Sequence, residues 1–441
     1  MSKQIGMVVC TFNKKDFVLN CVQSIFDSNA KDFDVIVVDN ASSDGTYEAL
    51  TETFGERIII LRNSENLGGS GGFNTGLRYA LEQGYPYLMC VDDDIRFDAD
   101  AIPELKSFLD THPDVGMVGS KICKMDTPDR LQTMGGMIDF EKFELRQLHE
   151  SEKDDDSLPE VEYVDMIHAC SLMMKRETLL EVGLMQQDFF LYWDDDDWGM
   201  RFNAAGYKVA SISASRVWHK RGNQTMVTNF NRYYAHRNRI VFFMKYLPTD
   251  RREAFAKHIL RELYTSCSAI ALKGDDNMLH TMVYAFDDAI HHVMGKAPEY
   301  KVPPLQEVTR LRDLVQDVAS IRFILNGDFV ALGRILENIR KINDRFELIL
   351  CVRDCPDARK EAEHQYPQAV VTEQMDKEAD VTLKLCTHIF EVEDITREGI
   401  YIDPWCNLLL TEEEFRIGRS HKENQELFVK MWLPVVMGAM E

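Results

Sequence analysis

The sequence predicts an α/β protein whose first part is a mostly parallel sheet with helices on both faces. In the first third of the chain, short β-rich runs alternate with helical patterns, as a parallel sheet with crossover helices requires. Acidic residues follow two of the β-rich runs, at Asp39 and at Asp92 to Asp94. Open sheets of this class bind ligands outside the carboxyl ends of their strands, so a ligand site is expected there.

The β-rich runs and the helical patterns follow one another without long interruptions. The predicted strands are IGMVVCTF, FDVIVVDN, RIIILRN, YPYLMCVDDD and VGMVGSKI. The predicted helices between them are FVLNCVQSIFDS, TYEALTETFG, GGFNTGLRYALEQG and DAIPELKSFLDTH. The polar, acidic stretch HESEKDDDSLPE predicts an exposed loop, and VDMIHACSLMMKRETLLEVG then predicts a buried strand and a helix.

With 441 residues, the chain exceeds one typical domain and is expected to divide. The first domain is predicted over residues 1–245. Residues 246–320 are predicted to be helical, because RREAFAKHILRELYTSCSAIAL carries apolar residues at three- and four-residue spacing. Residues 321–441 predict a small C-terminal α/β unit of unknown role. Its apolar tail, LFVKMWLPVVMGAM, fits a core helix, an oligomer contact or a surface anchor, with core packing as the default.

The overall charge and the cysteines exclude several classes of protein. A formal charge of -23 does not provide the basic face that binding of a nucleic-acid backbone requires. The start of the chain does not resemble an export signal, and no apolar run approaches the roughly 20 residues that span a bilayer. We therefore expect a cytoplasmic protein, and peripheral association with the inner face of the membrane and self-association stay open. The ten scattered cysteines predict no disulfide and no structural zinc.

The glycine-rich stretch NLGGSGGFNTG, Asn66 to Gly76, matches no phosphate-binding fingerprint. It lacks the Lys-Ser/Thr ending of a P-loop, and its glycines do not fit G-x-G-x-x-G. Two interpretations stay open: a turn that needs positive φ before a helix, or a close approach of the backbone to a bound group.

Three carboxylates end the apolar strand in CVDDDIRF. Adjacent unpaired carboxylates repel one another, so a cation is the natural compensation. Hard oxygen ligands suit Mg²⁺ or Mn²⁺, which also take substrate phosphates as ligands. The alternative is that Asp94 only starts the following turn.

Four consecutive aspartates lie between two tryptophans in FFLYWDDDDWGMRF. Asp195 to Ala205 predicts a helix that ends before Gly206, so the acids occupy its amino end, where the helix dipole favours negative charge. Asp194 and Asp197 have the spacing of a helix cap and its partner, and Arg201 lies within ion-pair reach of Asp197.

Asp195 and Asp196 have no such explanation from helix chemistry. A carboxylate among other carboxylates and tryptophans is expected to have raised proton affinity, which suits a general base acting on a hydroxyl group. His219 comes later in the same domain and is a candidate ligand, although a lone histidine is more often structural.

Seven stretches together carry a resemblance to a known family. In order they are VVCTFNK, VIVVDNASSDGT, NLGGSGGFNTG, VDDDI, FFLYWDDDDWGMRF, VWHK and YYAHRN. This succession resembles the family-2 inverting glycosyltransferases with a GT-A fold, which is Rossmann-like. WDDDD, VWHK and YYAHRN are most similar to the bacterial galactofuranosyltransferase branch, and polysaccharide rhamnosyltransferases come close behind. The resemblance covers about residues 1–245 and lies in the order and spacing of the stretches.

The resemblance implies a pocket for a sugar-nucleotide donor. Asp39 would contact the uracil or ribose, and Asp93 would lie near the donor sugar or ribose. Arg237 and Asn238 would face the diphosphate. The remaining implied donor-binding residues are Thr11, Asn13, Asn66, Gly68, Gly69 and Asp92.

The resemblance also implies a metal centre and a catalytic base. Asp92 and Asp94 would form the D-x-D motif that binds Mn²⁺ or Mg²⁺, and His219 would join the metal. Asp194 and Asp195 would form the family's catalytic acidic pair, in which Asp195, at the second acidic place, is the base and Asp194 holds the acceptor. Asp196 stands where many relatives carry an apolar or small residue, which leaves open which aspartate is the base. The implied acceptor-binding residues are Trp193, Asp194 and Asp196.

The implied reaction is transfer with inversion, in which the acceptor hydroxyl attacks the anomeric carbon opposite the leaving nucleoside diphosphate. We expect galactofuranose transfer from UDP-galactofuranose to a glycan or lipid-linked glycan of the cell surface. Rhamnose transfer from dTDP-rhamnose is the closest alternative, and a sugar-nucleotide-binding assembly protein is the non-enzymatic one. A nucleotidyltransferase is disfavoured because the turn CTFNKKD has no glycine. Trp193, Trp198 and Trp218 are candidates for stacking on sugar rings, with buried packing as the default for each.

Overall fold

The computed structural model describes residues 3–220, 228–353, 355–375, 377–392 and 398–441. The chain forms two compact units, Met1–Arg251 with Ala285–Lys301, and Arg252–Tyr284 with Val302–Glu441. The segment predicted to be a separate helical region is largely helical, but its residues are divided between the two units.

The first unit is built on strands that alternate with helices. Its strands are β1 (Ile5–Thr11), β2 (Phe33–Asp39), β3 (Ile58–Arg62), β4 (Tyr87–Asp92), β5 (Ile95–Phe97), β6 (Val115–Lys124), β7 (Leu131–Thr133), β8 (Gly136–Asp139), β9 (Glu144–Gln147), β10 (Val161–Val164), β11 (Ser171–Lys175) and β12 (Lys208–His219). Its helices are α1 (Lys15–Phe26), α2 (Thr46–Phe54), α3 (Gly68–Gln83), α4 (Ala101–Thr111), α5 (Arg176–Val182), α6 (Asp194–Ala204) and α7 (Asn229–Tyr246).

The main sheet of this unit runs in the order β10-β12-β6-β11-β4-β1-β2-β3, with β5 paired to β12 and β7 to β6. β3, β2, β1 and β4 are parallel, as predicted. β11 is antiparallel to both of its neighbours, β4 and β6. The sheet is therefore a parallel half joined through β11 to a mixed half.

Apolar side chains on the two faces of the main sheet pack against different helices and form two separate core layers. Met7 and Val9 of β1 pack in one layer, whereas Val8 between them packs in the other. This alternation follows from the two-residue period of a strand. Helices therefore cover both faces, and the predicted α/β class is confirmed.

The second unit contains a smaller sheet. Its strands are β13 (Ser320–Ile324), β14 (Glu347–Cys351), β15 (Val370–Thr372), β16 (Val381–Leu385), β17 (Ile400–Ile402) and β18 (Leu408–Leu409), in the spatial order β15-β14-β13-β16-β17-β18. The remaining helices are α8 (Arg252–Lys273), α9 (Asp276–Ile290), α10 (Arg310–Val315), α11 (Phe329–Arg340), α12 (Pro356–Gln365) and α13 (Glu412–Ala439). α9 begins in the second unit and ends in the first.

The apolar tail of the chain forms the end of α13, which packs along α8 through contacts such as the Arg261–Glu426 ion pair. Val429 and Val436 are buried, but Met431 is 65% exposed. Core packing therefore accounts for one side of the tail only. Among the described residues, none of the helices combines the length and apolar content that a bilayer span requires.

Candidate active site

The carboxyl ends of β1, β2 and β4 bring the first predicted site residues together. Thr11 is in register with Asp39, and Cys10 with Asp92. Asp39 is fully buried, where its Oδ1 accepts the N–H of Ser42 at 2.8 Å and its Oδ2 lies 3.2 Å from the Arg62 guanidinium. The parallel pairing thus places these strand ends at one edge of the sheet.

The glycine-rich stretch is mostly helical, because α3 begins at Gly68. Gly68 has a φ of +77°, and the oxygen of Asn66 accepts its N–H at 2.8 Å. A Cβ on Gly68 would lie 2.0 Å from the carbonyl oxygen of Phe190. Gly69 donates its N–H to the same carbonyl at 2.8 Å. A turn with positive φ therefore explains Gly68, and the close approach is to the backbone that precedes α6.

We expect Gly68→Ala to destabilise the protein by about 2 to 5 kcal/mol, because a Cβ adds a clash with Phe190 to the strain of positive φ. Gly84→Ala is the matched control, since Gly84 has a φ of +78° with nothing within 4 Å of its Cβ position. That control should lose only the strain, about 1 to 2 kcal/mol. Urea unfolding of both variants measures the difference, and equal losses would contradict the clash.

Asp92, Asp94 and His219 form a cluster whose ligand atoms all lie within 4.8 Å of one another. His219 reaches the acids because β12 pairs antiparallel with β5, which places His219 opposite Ile95. Its Nε2 lies 3.0 Å from Asp94 Oδ1, and its Nδ1 lies 3.0 Å from Gln132 Oε1. An outer partner of this kind orients the imidazole of a metal ligand, so Nε2 is the nitrogen directed at the acids.

Burial and like charge act against ionisation in part of this cluster. Burial, followed by the charge of Asp94, raises the pKa of Asp92 to about 7. Burial also acts to raise the pKa of Asp94, but the hydrogen bond and charge of His219 lower it below the ordinary value. A divalent cation would favour the charged form of both carboxylates. Two carboxylates and one imidazole thus fit a divalent metal.

Lys14 is a further member of this cluster that the sequence did not indicate. Its Nζ lies 3.1 Å from Asp93 Oδ1 and 2.7 Å from Asp94 Oδ2. The lysine lies three residues after the end of β1. The rule that ligands bind beyond the carboxyl ends of strands, applied to β1, would have drawn attention to it.

The four consecutive aspartates have separate surroundings. Asp197 is fully buried and binds Arg201 at 2.9 Å, as predicted, together with Lys245 and Tyr246. The helix begins one residue earlier than predicted, with Trp193 preceding it at a φ of +65°. Asp194 therefore lies inside the first turn and is not the helix cap. These contacts give Asp197 a structural role, and no catalytic role is needed to explain its charge.

Asp195 is held by a histidine that the sequence did not indicate. Its Oδ2 lies 3.3 Å from His168 Nδ1 and 3.4 Å from the N–H of Ala169. Its Oδ1 accepts the N–H of Asp196 at 3.2 Å. A carboxylate has about four lone-pair sites, so at least one stays available to a ligand. The side chain is 17% exposed.

The expected rise in proton affinity affects the neighbours of Asp195 rather than Asp195 itself. Burial acts to raise the pKa of Asp195, but the hydrogen bond and charge of His168 more than offset it, and the pKa lies below its ordinary value. Burial, followed by the charge of Asp195, raises the pKa of Asp194 to about 7 and that of Asp196 far above its ordinary value. Of Asp194, Asp195 and Asp196, Asp195 is the carboxylate whose lowered pKa favours the ionised form.

Two consecutive residues, Ala169 and Cys170, connect the acidic cluster around Asp92 with the aspartate run at the start of α6. Ala169 donates its N–H to Asp195, and the carbonyl of Cys170 accepts the N–H of Asp92 at 3.0 Å. Consecutive Cα atoms are only about 3.8 Å apart. Gly69 joins the same region, because a Cβ on it would lie 3.8 Å from Asp194 Oδ2. The candidate metal-binding cluster, which is Asp92 with Asp94 and His219, and the carboxylate of Asp195 therefore lie in one candidate site.

Arg237 and Asn238, expected to face a diphosphate, are buried in the protein interior. The Nδ2 of Asn238 donates to the carbonyls of Phe189, Leu191 and Tyr192 at 2.9, 2.8 and 3.0 Å. Arg237 donates to the carbonyl of Phe189 at 3.1 Å. These bonds hold a segment in which Phe190 and Tyr192 have φ of +68° and +64°. Both side chains thus support the backbone that leads into α6.

The tryptophans do not share one surface. Trp198 is fully buried and donates its indole N–H to Gly183 at 2.9 Å, so it belongs to the core. Trp218 packs beneath the guanidinium of Arg96. Trp193 is half-buried against Phe242 at 5.0 Å between ring centroids. Asp196, another predicted acceptor contact, is only 4% exposed.

Part of the chain is similar in sequence to known glycosyltransferases. Residues 7–177 match the profile "Glycosyl transferase family 2". The chain is 25% identical over 338 residues to galactofuranosyltransferase GlfT2 of Mycolicibacterium smegmatis, covering 68% of this chain and 52% of that protein. It is 25% identical over 256 residues to dTDP-rhamnosyl transferase RfbF of Shigella flexneri, covering 56% and 81%. The structure described as "GalNAc-T7 with UDP, GalNAc and Mn2+" overlaps 59% of this chain and 51% of that one, with 13% identity and a TM-score of 0.46.

The parallel strand ends, the acids that follow them and the matched profile define a glycosyltransferase domain with the GT-A fold. The chain matches the family-2 glycosyltransferase profile over residues 7–177, within the region where its sequence resembles that family. It spans about half the length of the mycobacterial relative.

Proposed function

We propose that this protein is a metal-dependent inverting glycosyltransferase that transfers galactofuranose from UDP-galactofuranose to a hydroxyl group of a cell-surface glycan. The observation that carries the proposal is the adjacency of two unlike acidic clusters. Asp92, Asp94 and His219 suit a cation, whereas Asp195 is a separate ionised carboxylate beside His168. Residues 169 and 170 join the two.

In this reaction Asp195 accepts the proton of the acceptor hydroxyl as the hydroxyl oxygen bonds to the anomeric carbon. The bond from that carbon to the diphosphate breaks, and the nucleoside diphosphate leaves with the electron pair. His168 and the N–H of Ala169 keep Asp195 ionised and fix its orientation. A bound cation supplies stabilisation of the charge that develops on the diphosphate.

Asp92, Asp94 and His219 would hold that cation, and Mn²⁺ or Mg²⁺ fits two carboxylates. Imidazole nitrogen is a ligand for transition metals rather than for Mg²⁺, so His219 favours Mn²⁺ of the two. We assign Asp39, which ends β2 in register with Thr11, to the nucleoside part of the donor. Asp194 is assigned to the acceptor, because its pKa of about 7 allows its carboxyl group to donate or accept a hydrogen bond.

The choice of galactofuranose follows the resemblance of WDDDD, VWHK and YYAHRN and the similarity to GlfT2 over 68% of this chain. Rhamnose from dTDP-rhamnose is the second candidate, because the similarity to RfbF covers 81% of that protein. The acceptor class, a lipid-linked glycan, would bring the protein to the cytoplasmic face of a membrane as a peripheral enzyme.

A donor panel tests the proposal. The full chain is incubated with Mn²⁺, a glycan acceptor and either UDP-galactofuranose, UDP-galactopyranose or dTDP-rhamnose, and the product is identified by mass spectrometry and NMR. UDP release with a β-linked galactofuranosyl product is expected. Transfer from dTDP-rhamnose alone would replace the donor assignment, and release of pyrophosphate would indicate a nucleotidyltransferase.

We expect His168→Ala to reduce turnover and to move the acidic limb of the pH–rate profile to higher pH. Turnover requires ionised Asp195, and His168 lowers the pKa of that carboxyl. In the wild type the limb therefore lies below the ordinary pKa of aspartate, and loss of His168 raises it. A kcat profile that extends from below pH 4 up to pH 9 measures the shift, and each pKa unit corresponds to about 1.4 kcal/mol of lost interaction. An unshifted limb would show that His168 does not act through Asp195.

A further inference from the structure

Lys14 places an ammonium group beside the metal-binding cluster. Its Nζ contacts Asp93 Oδ1 at 3.1 Å and Asp94 Oδ2 at 2.7 Å. The lysine side chain is 44% exposed, whereas those of Asp93 and Asp94 are 7% and 11% exposed. Lys14 therefore reaches buried acids from a position open to solvent.

The backbone on either side of Lys14 is held by hydrogen bonds to a neighbouring loop. The N–H of Ser43 donates to Asn13 Oδ1 at 2.7 Å, and the N–H of Lys15 donates to Asp44 Oδ2 at 3.1 Å. These bonds tie the residues on either side of Lys14 to the loop that follows β2. Rotation about the four side-chain bonds of the lysine is then the freedom that remains to its ammonium group.

Asp94 is shared between the metal-binding cluster and Lys14. One of its oxygens lies 3.0 Å from His219, and the other lies 2.7 Å from Lys14. A divalent cation on Asp94 would stand close to the ammonium group, and like charges at such distances repel. A diphosphate brings the negative charge that relieves this repulsion, because phosphate oxygens bind both lysine and divalent cations.

We propose that Lys14 couples the binding of the divalent cation to the binding of the donor diphosphate. In the protein without ligands, the ammonium group neutralises part of the charge on Asp93 and Asp94. When the cation occupies Asp94, the ammonium group turns from the carboxylates to a phosphate oxygen of the donor. Cation and donor then bind more tightly together than either binds alone. This inference rests on the proposed function, and it identifies Lys14 as a donor-binding residue.

Equilibrium binding of Mn²⁺ and UDP to Lys14→Met tests the coupling. Titration calorimetry measures the affinity for Mn²⁺ with and without saturating UDP, and the affinity for UDP with saturating Mn²⁺. We expect the variant to bind Mn²⁺ alone about fivefold more tightly, because a competing positive charge is removed. It should bind UDP in the presence of Mn²⁺ about tenfold more weakly, because a charge-assisted hydrogen bond is lost. Lys14→Arg should retain the coupling.

Lys15→Met is the matched control, since it removes the same charge one residue further along, and the N–H through which Lys15 binds Asp44 remains. It should match the wild type in both affinities. Unchanged Mn²⁺ affinity and unchanged coupling in Lys14→Met would overturn the role of Lys14 while the metal site stands. A wild-type protein that binds no Mn²⁺ would overturn the metal centre of the proposed function, and this inference with it.

Discussion

Asp195→Asn is expected to lower turnover by about 10² to 10⁴-fold, the usual contribution of a general base. The asparagine keeps the shape of the side chain and its contact with Ala169, but it cannot accept the proton of the acceptor hydroxyl. Asp195 is the member of the aspartate run whose pKa lies below its ordinary value, so it is ionised at neutral pH. Binding of UDP and Mn²⁺ should stay close to wild type, because neither ligand depends on this carboxylate.

Asp196→Asn is the informative comparison, since the sequence left open which aspartate is the base. Burial and the charge of Asp195 raise the pKa of Asp196 well above its ordinary value, so an uncharged amide replaces a group whose neutral form its surroundings favour. Turnover should largely survive. Initial rates of UDP release, measured beside binding isotherms for both variants, distinguish the two. An active Asp195→Asn with an inactive Asp196→Asn would transfer the role of base to Asp196.

The sequence predicted the parts of the site that depend on local pattern. Asp39 and Asp92 follow apolar runs that become parallel strands, and the carboxyl ends of such strands lie at one edge of a sheet. The family resemblance then associated His219 with Asp94, and the two side chains lie 3.0 Å apart. Local pattern together with a family resemblance was sufficient for this cluster.

The residues that the sequence missed make contacts that no local pattern encodes. His168 meets Asp195 only because the backbone between β10 and β11 turns its ring toward the start of α6. Lys14 stands beside a second lysine, and only the paths of β1 and β4 show which of them meets the acids. A single lysine or histidine carries no periodic signal, so its long-range partner depends on the fold.

The buried positions of Arg237 and Asn238, which were expected to contact the diphosphate, show a different limit of prediction from sequence. Polar residues in a motif suggest ligands, but here their donors bind the carbonyls of a segment with positive φ at Phe190 and Tyr192. Such backbone costs about 1 to 3 kcal/mol per residue and persists only where its surroundings hold it. A motif can contain residues that support the backbone as well as residues that contact the ligand, and the sequence does not distinguish the two kinds.

Asp94→Asn is expected to reduce Mn²⁺ affinity by at least about 10²-fold and turnover by about 10² to 10³-fold. Asp94 should matter more than Asp92, because it carries a full charge whereas the pKa of Asp92 is about 7. It also joins His219 to Lys14, so its loss separates the two groups that would share the charge of the diphosphate. Chelation should likewise stop the wild-type reaction, and added Mn²⁺ should restore it.

The matched control for that variant is Asp98→Asn, which removes an acid four residues away that pairs with Arg216 outside the cluster. It should keep wild-type affinity for Mn²⁺. Asp94→Asn also releases Lys14 from one of its partners. The UDP affinity of this variant in the absence of metal therefore shows whether turnover is lost through cation binding or through a changed contact between Lys14 and the donor. If the variant loses turnover but keeps its Mn²⁺ affinity, Asp94 does not hold the cation, and its effect must pass through Lys14 and the donor.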